Sequence, residues 1–128
     1  HDLMWFAVHG KYKLPAARPS SVYRFQRLGG HELVHPTQKP VPLMAKLIRD
    51  YTTDDAVILD PFGGSGTTAV AAILEGRRCI IIEKSEAYCQ IIRRRVDAAM
   101  GDAKGSLFHT APADLFAESQ KLLFLEAE

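Results

Sequence analysis

Residues 56–68 read AVILDPFGGSGTT, a short apolar run that leads into an acid and a series of small residues. The apolar run Ala56–Leu59 predicts a buried strand, because such runs are typical of parallel strands covered by helices on both faces. The glycines that follow predict a tight turn in which bare backbone can approach a ligand. A helix is predicted from about Gly66 to Glu75, and Gly76 marks its end.

A second strand and a second helix complete this central unit. The sequence RRCIIIE predicts a strand over Cys79–Ile82 that ends at Glu83. Ser85 can cap the next helix, in which apolar residues recur at helical spacing until Gly101. The order strand, helix, strand predicts an α/β fold with a right-handed parallel crossover.

The segments on either side of this unit have patterns of their own. Asp2–Val8 predicts a short strand, and Val41–Tyr51 predicts an amphipathic helix. Between them, residues 11–34 form a basic connecting region whose prolines and glycines are typical of irregular structure. In the C-terminal tail, residues 101–128, a further helix is predicted over Asp114–Leu125.

Length and composition limit the class of protein. A chain of 128 residues that is 47% hydrophobic, with a net charge of +1, suits a single globular domain. No apolar run approaches the roughly 20 residues that a membrane span needs, and no signal-peptide pattern is present. The two cysteines lack metal-ligand spacing, so we expect no metal site and a reducing, cytoplasmic setting.

Three classes of ligand could occupy the glycine turn. A nucleoside triphosphate would need a lysine after the last glycine, but Gly66 is followed by Thr67. A dinucleotide fits better, because residues 64–69 match G-x-G-x-x-G/A and Glu83 follows about 20 residues after the first glycine. Asp60 argues against it, since a carboxylate at the strand tip would repel a pyrophosphate on the same turn.

A ligand with a cationic end suits that carboxylate. S-adenosylmethionine has an ammonium and a sulfonium near one end and a ribose diol that can donate hydrogen bonds to Glu83. One charge pair at ~4 Å and an effective dielectric constant of about 20 contributes about 4 kcal/mol before desolvation. The sequence therefore favours S-adenosylmethionine. The alternative is a plain tight turn with a solvated Asp60.

Two motifs in the right order resemble a known family. HPTQKP at residues 35–40, a helix, and then LDPFGGSGTT resemble the cofactor-binding part of the DNA amino-methyltransferases in their beta arrangement. The resemblance runs from about His35 to Met100. It implies a partial Rossmann-like, S-adenosylmethionine-dependent methyltransferase fold that supplies the cofactor-binding half. It also implies methyl transfer to the exocyclic amine of adenine or cytosine, and identifies residues 1–10 as the last strand of the catalytic half.

The resemblance assigns roles residue by residue. The segment at residues 35–39 would close over the methionine carboxylate, the turn would hold the methionine part, Glu83 would take the ribose hydroxyls, and the two residues after it would lie near adenine. The implied cofactor-binding residues are His35, Thr37, Gln38, Lys39, Asp60, Phe62, Gly63, Gly64, Ser65, Gly66, Thr67, Glu83, Lys84 and Ser85. A solvated lysine explains Lys39 equally well.

A set of basic residues lies in a stretch without acids, from Leu3 to His31. Lysines and arginines in such a stretch could neutralise phosphates of double-stranded DNA, and a solvated loop explains the charge equally well. The candidate DNA-binding residues are Lys11, Lys13, Arg18, Arg24 and Arg27. The run Arg93–Arg95 is interpreted as an exposed helix face.

One motif of the resembled family is absent. Amine methylation there rests on Asp, Asn or Ser followed by Pro-Pro and an aromatic residue that stacks on the flipped base, and the seven prolines here include no adjacent pair. The chain either supplies the cofactor-binding part of a DNA methyltransferase, inactive by itself, or is an accessory or relic module that binds S-adenosylmethionine or DNA. Strand 56–59 would be central in a full sheet, so we expect an open edge, to be covered by a catalytic-half polypeptide, a second copy or the tail.

Overall fold

The computed structural model describes residues 3–15, 19, 21–26, 29, 35–106 and 123–125. Three helices and three strands alternate along this part of the chain. They are α1 (Val41–Tyr51), β1 (Val57–Asp60), α2 (Thr67–Leu74), β2 (Arg78–Ile82), α3 (Glu86–Ser106) and β3 (Leu123–Leu125). The helix and strand bounds of the central unit therefore agree with the predicted ones to within a residue or two, except at the end of α3.

The strands form one parallel sheet in the order β1-β2-β3. In the register of β1 with β2, Val57 lies opposite Arg78 and Asp60 lies opposite Ile81. Helix α2 connects these two neighbouring parallel strands, which confirms the predicted α/β class and the parallel crossover. The carboxyl ends of β1 and β2 consequently meet at the same edge of the sheet.

Helix α2 lies at the centre of the hydrophobic core. It packs against α1, α3 and β2. Its alanines are fully buried, and their small side chains let the neighbouring helices approach closely. The buried cluster consists of Ala45, Ile48, Ala69, Ala71, Ala72, Cys79, Ile81, Ile92 and Val96.

The second face of the sheet is open at β1. Val57 is 47% exposed and Leu59 is 60% exposed, whereas Ile58, which points to the other face, packs against the core. The prediction of a strand covered on both faces is therefore wrong within the described part of the chain. The reason is the placement of the helices, because residues of α1, α2 and α3 all belong to the one buried cluster on the sheet face that carries Ile58, Cys79 and Ile81.

The tail pairs with the sheet, but not at β1. The predicted helix Asp114–Leu125 falls mostly in residues 107–122, which lie outside the described residues. Its last three residues form β3 instead, so the helix prediction is wrong there. As a parallel partner of β2, β3 satisfies backbone groups that β2 would otherwise leave unpaired. No described strand covers the outer edge of β1.

Helix α3 continues past its predicted end at Gly101 and runs to Ser106. A glycine inside a helix costs only about 1 kcal/mol relative to alanine, which is too little by itself to end a helix. None of the helices in the described ranges has both the length and the apolar character needed to cross a membrane.

The predicted strand Asp2–Val8 is wrong for its described residues, 3–8, which have no regular structure. A strand needs a neighbour to pair its backbone groups, and no described strand lies beside this segment. The segment contacts the end of α1 through aromatic side chains instead. The ring of Phe6 lies 4.7 Å from the ring of Tyr51, and the hydroxyl of Tyr12 donates to the Tyr51 carbonyl.

A buried carboxylate connects the basic region to α1. The hydroxyl of Tyr23 donates to Oδ2 of Asp50 at 2.8 Å, and Lys46 forms an ion pair with the same carboxylate. Burial by itself would raise the pKa of Asp50, but the hydrogen bonds from Lys46 and Tyr23 outweigh it and leave the pKa below its ordinary value. Asp50 therefore remains charged, and Tyr23 holds the basic region against the helix.

Candidate functional site

The glycine turn joins β1 to α2 at the carboxyl edge of the sheet, where open parallel sheets place their ligands. Gly64 and Gly66 adopt left-handed φ angles of 53° and 77°. The Gly66 N–H donates to the Gly63 carbonyl at 2.8 Å, and the Gly63 N–H donates to the Ile82 carbonyl at 2.9 Å. The turn is thus closed on itself and attached to the end of β2.

Close packing also requires two of the glycines. A Cβ at Gly63 would lie 2.4 Å from Cγ2 of Ile81 and 3.1 Å from Cδ1 of Ile92. A Cβ at Gly66 would lie 2.9 Å from Cγ1 of Ile92. The core therefore presses directly on the backbone of the turn, and no other residue type fits at either position without movement.

The carboxylate of Glu83 connects the turn to the end of β2. Its Oε2 accepts a hydrogen bond from the Gly64 N–H at 2.7 Å, and its Oε1 accepts one from the Ser85 N–H at 2.8 Å. An ionised carboxylate offers about four lone-pair directions. Each oxygen of Glu83 can therefore accept a further hydrogen bond, for example from a hydroxyl of a ligand.

The second carboxylate of the site belongs to Asp60, the last residue of β1. It is half-buried, and its Oδ1 accepts a hydrogen bond from the Phe62 N–H at 3.0 Å. Burial, with a further contribution from the charge of Asp60, raises the pKa of Cys79 to about 12, so that thiol stays protonated. Asp60 therefore has one local hydrogen bond to the turn, which a plain strand-to-helix turn would also allow.

The segment at residues 35–38 lies against the other side of the turn. The imidazole of His35 is 3.7 Å from the position that a Cβ would take at Gly64, and its ring centre is 4.7 Å from that of Tyr88. The Thr37 N–H donates to Nδ1 of His35 at 3.2 Å, and the Gln38 N–H donates to the His35 carbonyl at 3.0 Å. His35 thus fixes both neighbouring polar residues beside the turn.

The remaining predicted cofactor residues divide between surface and interior. Phe62 is 87% exposed, and Lys39 and Lys84 are exposed as well. Ser65 and Thr67 are buried, with their hydroxyl oxygens 3.1 Å apart. The structure therefore brings two acids, the turn backbone and His35 together, and leaves an aromatic ring at the rim.

Sequence reasoning missed Arg95. Its Nη1 donates to the Ser65 carbonyl at 2.5 Å, and burial lowers the pKa of its guanidinium. The interpretation of Arg93–Arg95 as an exposed helix face is wrong for this residue. The sequence does contain a pattern that indicates this position. Arg95 follows Tyr88 and Ile92 at spacings of seven and three residues, which places it on the inward-facing stripe of the helix.

The candidate DNA-binding residues are described in part. Lys11, Lys13 and Arg24 are exposed. Arg18 and Arg27 lie outside the described residues. The hydrogen bond from Tyr23 to Asp50 holds the neighbouring Arg24 close to α1. Lys11 and Lys13 come earlier in the sequence.

Comparison with known proteins identifies the family. The N6_N4_Mtase family, described as DNA methylase, matches residues 7–94. The chain is 48% identical over 98 residues to the type II methyltransferase M2.DpnII of Streptococcus pneumoniae, covering 77% of this chain and 35% of the relative. It is 40% identical over 77 residues to the type II methyltransferase M2.MboI of Moraxella bovis, covering 58% of this chain and 28% of the relative.

Among solved structures, the chain is similar to the M1.HpyAVI–SAM complex. The identity is 44% and the TM-score is 0.47, over 48% of this chain and 32% of that one. The chain spans less than half the length of the curated relatives that it matches. Because the family match extends over more than half of the sequence, the chain belongs to the N6_N4_Mtase family of DNA methylases.

Proposed function

We propose that this chain binds S-adenosylmethionine at the glycine turn, as the cofactor-binding part of a DNA methyltransferase that modifies the exocyclic amine of adenine or cytosine. One observation carries the proposal. Two carboxylates, Asp60 and Glu83, flank a backbone turn at the ends of adjacent parallel strands, and both hydrogen-bond to that turn. Negative charge on both sides suits a cationic, hydroxyl-bearing ligand and disfavours phosphates.

The donors and acceptors of the site fit the different parts of this cofactor. Asp60 would attract its ammonium and sulfonium, and the free lone pairs of Glu83 would accept its ribose hydroxyls. The side chains of Thr37 and Gln38, beside His35, would donate to its carboxylate. Lys39, Phe62, Lys84 and Ser85 would complete the rim. The cofactor supplies a methyl group activated by positively charged sulfur, and the residues of this chain bind and orient it.

The proposed macromolecular partners use other surfaces. The exposed Lys11, Lys13 and Arg24, with Arg18 and Arg27, would neutralise phosphates of double-stranded DNA. The outer edge of β1 and the exposed Val57 and Leu59 beside it would pair with a catalytic-half polypeptide or a second copy. A paired strand would satisfy the backbone groups of β1, and a partner element packed over Val57 and Leu59 would cover its open face.

Asp60→Asn is expected to weaken S-adenosylmethionine binding about 10- to 100-fold, because it removes the charge and keeps an oxygen that accepts from the Phe62 N–H. Isothermal titration calorimetry measures the dissociation constant. Asp97→Asn, the same change at an exposed position on α3, is the matched control and should leave the affinity unaltered. If Asp60→Asn and the unmodified chain bind with equal affinity, Asp60 does not contribute to cofactor binding.

A second candidate function is cofactor or DNA binding without methyl transfer. It is favoured by one observation, that the sequence holds no two adjacent prolines and so no Pro-Pro-aromatic loop to take a flipped base. Incubation of the purified chain with tritiated S-adenosylmethionine and DNA is expected to give no incorporation above a protein-free blank, both for this candidate and for a cofactor-binding part that is inactive by itself. Tritium in the DNA would show that the chain carries its own catalytic loop.

A further inference from the structure

One stripe of α3 faces the glycine turn. Ile92 and Arg95 are three residues apart and therefore neighbours on the same side of the helix. Ile92 is fully buried against Gly63 and Gly66, and Arg95 extends beyond it to the Ser65 carbonyl. The helix thus contacts the turn with an apolar side chain and with a charged one.

Arg95 bonds to one side of the Ser65–Gly66 peptide group, and the other side of that group also forms a hydrogen bond. In a trans peptide the carbonyl oxygen and the following N–H point in opposite directions. The carbonyl of Ser65 accepts from Nη1 of Arg95 at 2.5 Å, and the N–H of Gly66 donates to the Gly63 carbonyl at 2.8 Å. Rotation of the peptide between Ser65 and Gly66 would therefore break both hydrogen bonds together.

Glycine makes such a restraint necessary. Gly66 has a φ of 77°, and glycine adopts positive and negative φ with similar ease. Without a restraint on its preceding peptide, the turn has other backbone conformations available. Gly66 is also the N-cap of α2, whose side-chain cap is missing, so the conformation of this residue sets where the helix begins.

We propose that Arg95 is a positioning residue for the turn: its guanidinium holds the Ser65–Gly66 peptide in the one orientation that presents the turn backbone to the ligand. The ligand part of this inference rests on the proposed function. The orientation of the peptide does not, and it can be measured without ligand. Arg95 acts through the turn and contacts no reacting atom.

The test compares Arg95→Met with Arg94→Met. Methionine keeps much of the side-chain length and removes the donors. Arg94 is a matched control because it is exposed and its Nε donates to the Gln90 carbonyl of its own helix, at 3.4 Å. Amide hydrogen exchange of Gly66 is measured by NMR in the ligand-free chain, and S-adenosylmethionine affinity is measured by calorimetry. Arg95→Met should speed Gly66 exchange and weaken affinity at least about tenfold each, with α3 amides unaltered. Arg94→Met should match the unmodified chain.

The outcomes separate the two proposals. Gly66 exchange in Arg95→Met equal to that in Arg94→Met would overturn the positioning role, whatever the chain binds. Failure of the unmodified chain to bind S-adenosylmethionine would overturn the proposed function and leave the exchange result to decide on Arg95. If Arg95→Met does not fold, Arg95→Gln decides, since its amide is polar but too short to reach the Ser65 carbonyl as the guanidinium does. Its Gly66 exchange should be at least about tenfold faster than in the unmodified chain, and exchange equal to that of the unmodified chain would contradict the proposal.

Discussion

Gly63→Ala is expected to destabilise the chain by about 1–3 kcal/mol or more, because the added methyl group has no space. Its position lies 2.4 Å from Cγ2 of Ile81 and 3.1 Å from Cδ1 of Ile92, and both side chains are fully buried. Ile81 lies in the middle strand of the sheet and cannot withdraw without disturbing both neighbours. For a chain of 128 residues, each kcal/mol lowers the melting temperature by roughly 4 °C.

Thermal melting followed by circular dichroism measures this effect. Gly101→Ala is the matched control, since a Cβ there would meet no heavy atom of the described residues within 4 Å and the residue lies inside α3. Gly101→Ala should change the free energy of unfolding by between zero and about +1 kcal/mol. Its melting temperature should therefore be unchanged or higher. A melting temperature for Gly63→Ala equal to that of the unmodified chain would mean that the turn moves freely over Ile81 and Ile92.

Glu83→Gln should reduce S-adenosylmethionine affinity by at least about 100-fold. The two carboxylate oxygens each accept a backbone N–H, from Gly64 and from Ser85. An amide replaces one acceptor oxygen with a donor, so one of these N–H groups would face another N–H. The variant therefore removes the charge that would bind the ribose hydroxyls and also disturbs the turn beneath the ligand.

Calorimetric titration of Glu83→Gln gives the affinity, and Glu86→Gln is its control. Glu86 lies in the first turn of α3, is exposed, and accepts a hydrogen bond from Gln90 of the same helix. The same loss of charge there should alter the affinity by less than about twofold, because screening weakens interactions of exposed charges. Comparable losses in the two variants would mean that only net charge, and not the geometry at Glu83, governs binding.

The regular elements around the turn could be predicted because short-range patterns determine them. The apolar spacing in residues 41–51 gave the bounds of α1, and Gly76, with a φ of 67°, ends α2 as predicted. The position of Glu83 one residue after β2 also followed from the sequence. In each case the residues that decide the structure are neighbours in the chain.

Contacts between distant residues could not be predicted in this way. The segment 3–8 has the composition of a strand, but whether it forms one depends on a pairing partner that sequence pattern does not reveal. The sequence of Leu123–Leu125 is compatible with either a helix or a strand. It forms a strand because β2 offers unpaired backbone groups on the side away from β1. Arg95 has the charge of a solvated residue, yet its long stem reaches a carbonyl thirty positions earlier in the sequence.

We propose that the two acids at the strand ends, Asp60 and Glu83, select a cationic cofactor over a phosphate-bearing one. The most direct test is titration of the unmodified chain with S-adenosylmethionine and, in parallel, with oxidised nicotinamide adenine dinucleotide. We expect saturable binding of the first at one site and no measurable heat from the second. Equal or tighter binding of the dinucleotide, or no binding of S-adenosylmethionine to the folded chain, would contradict it.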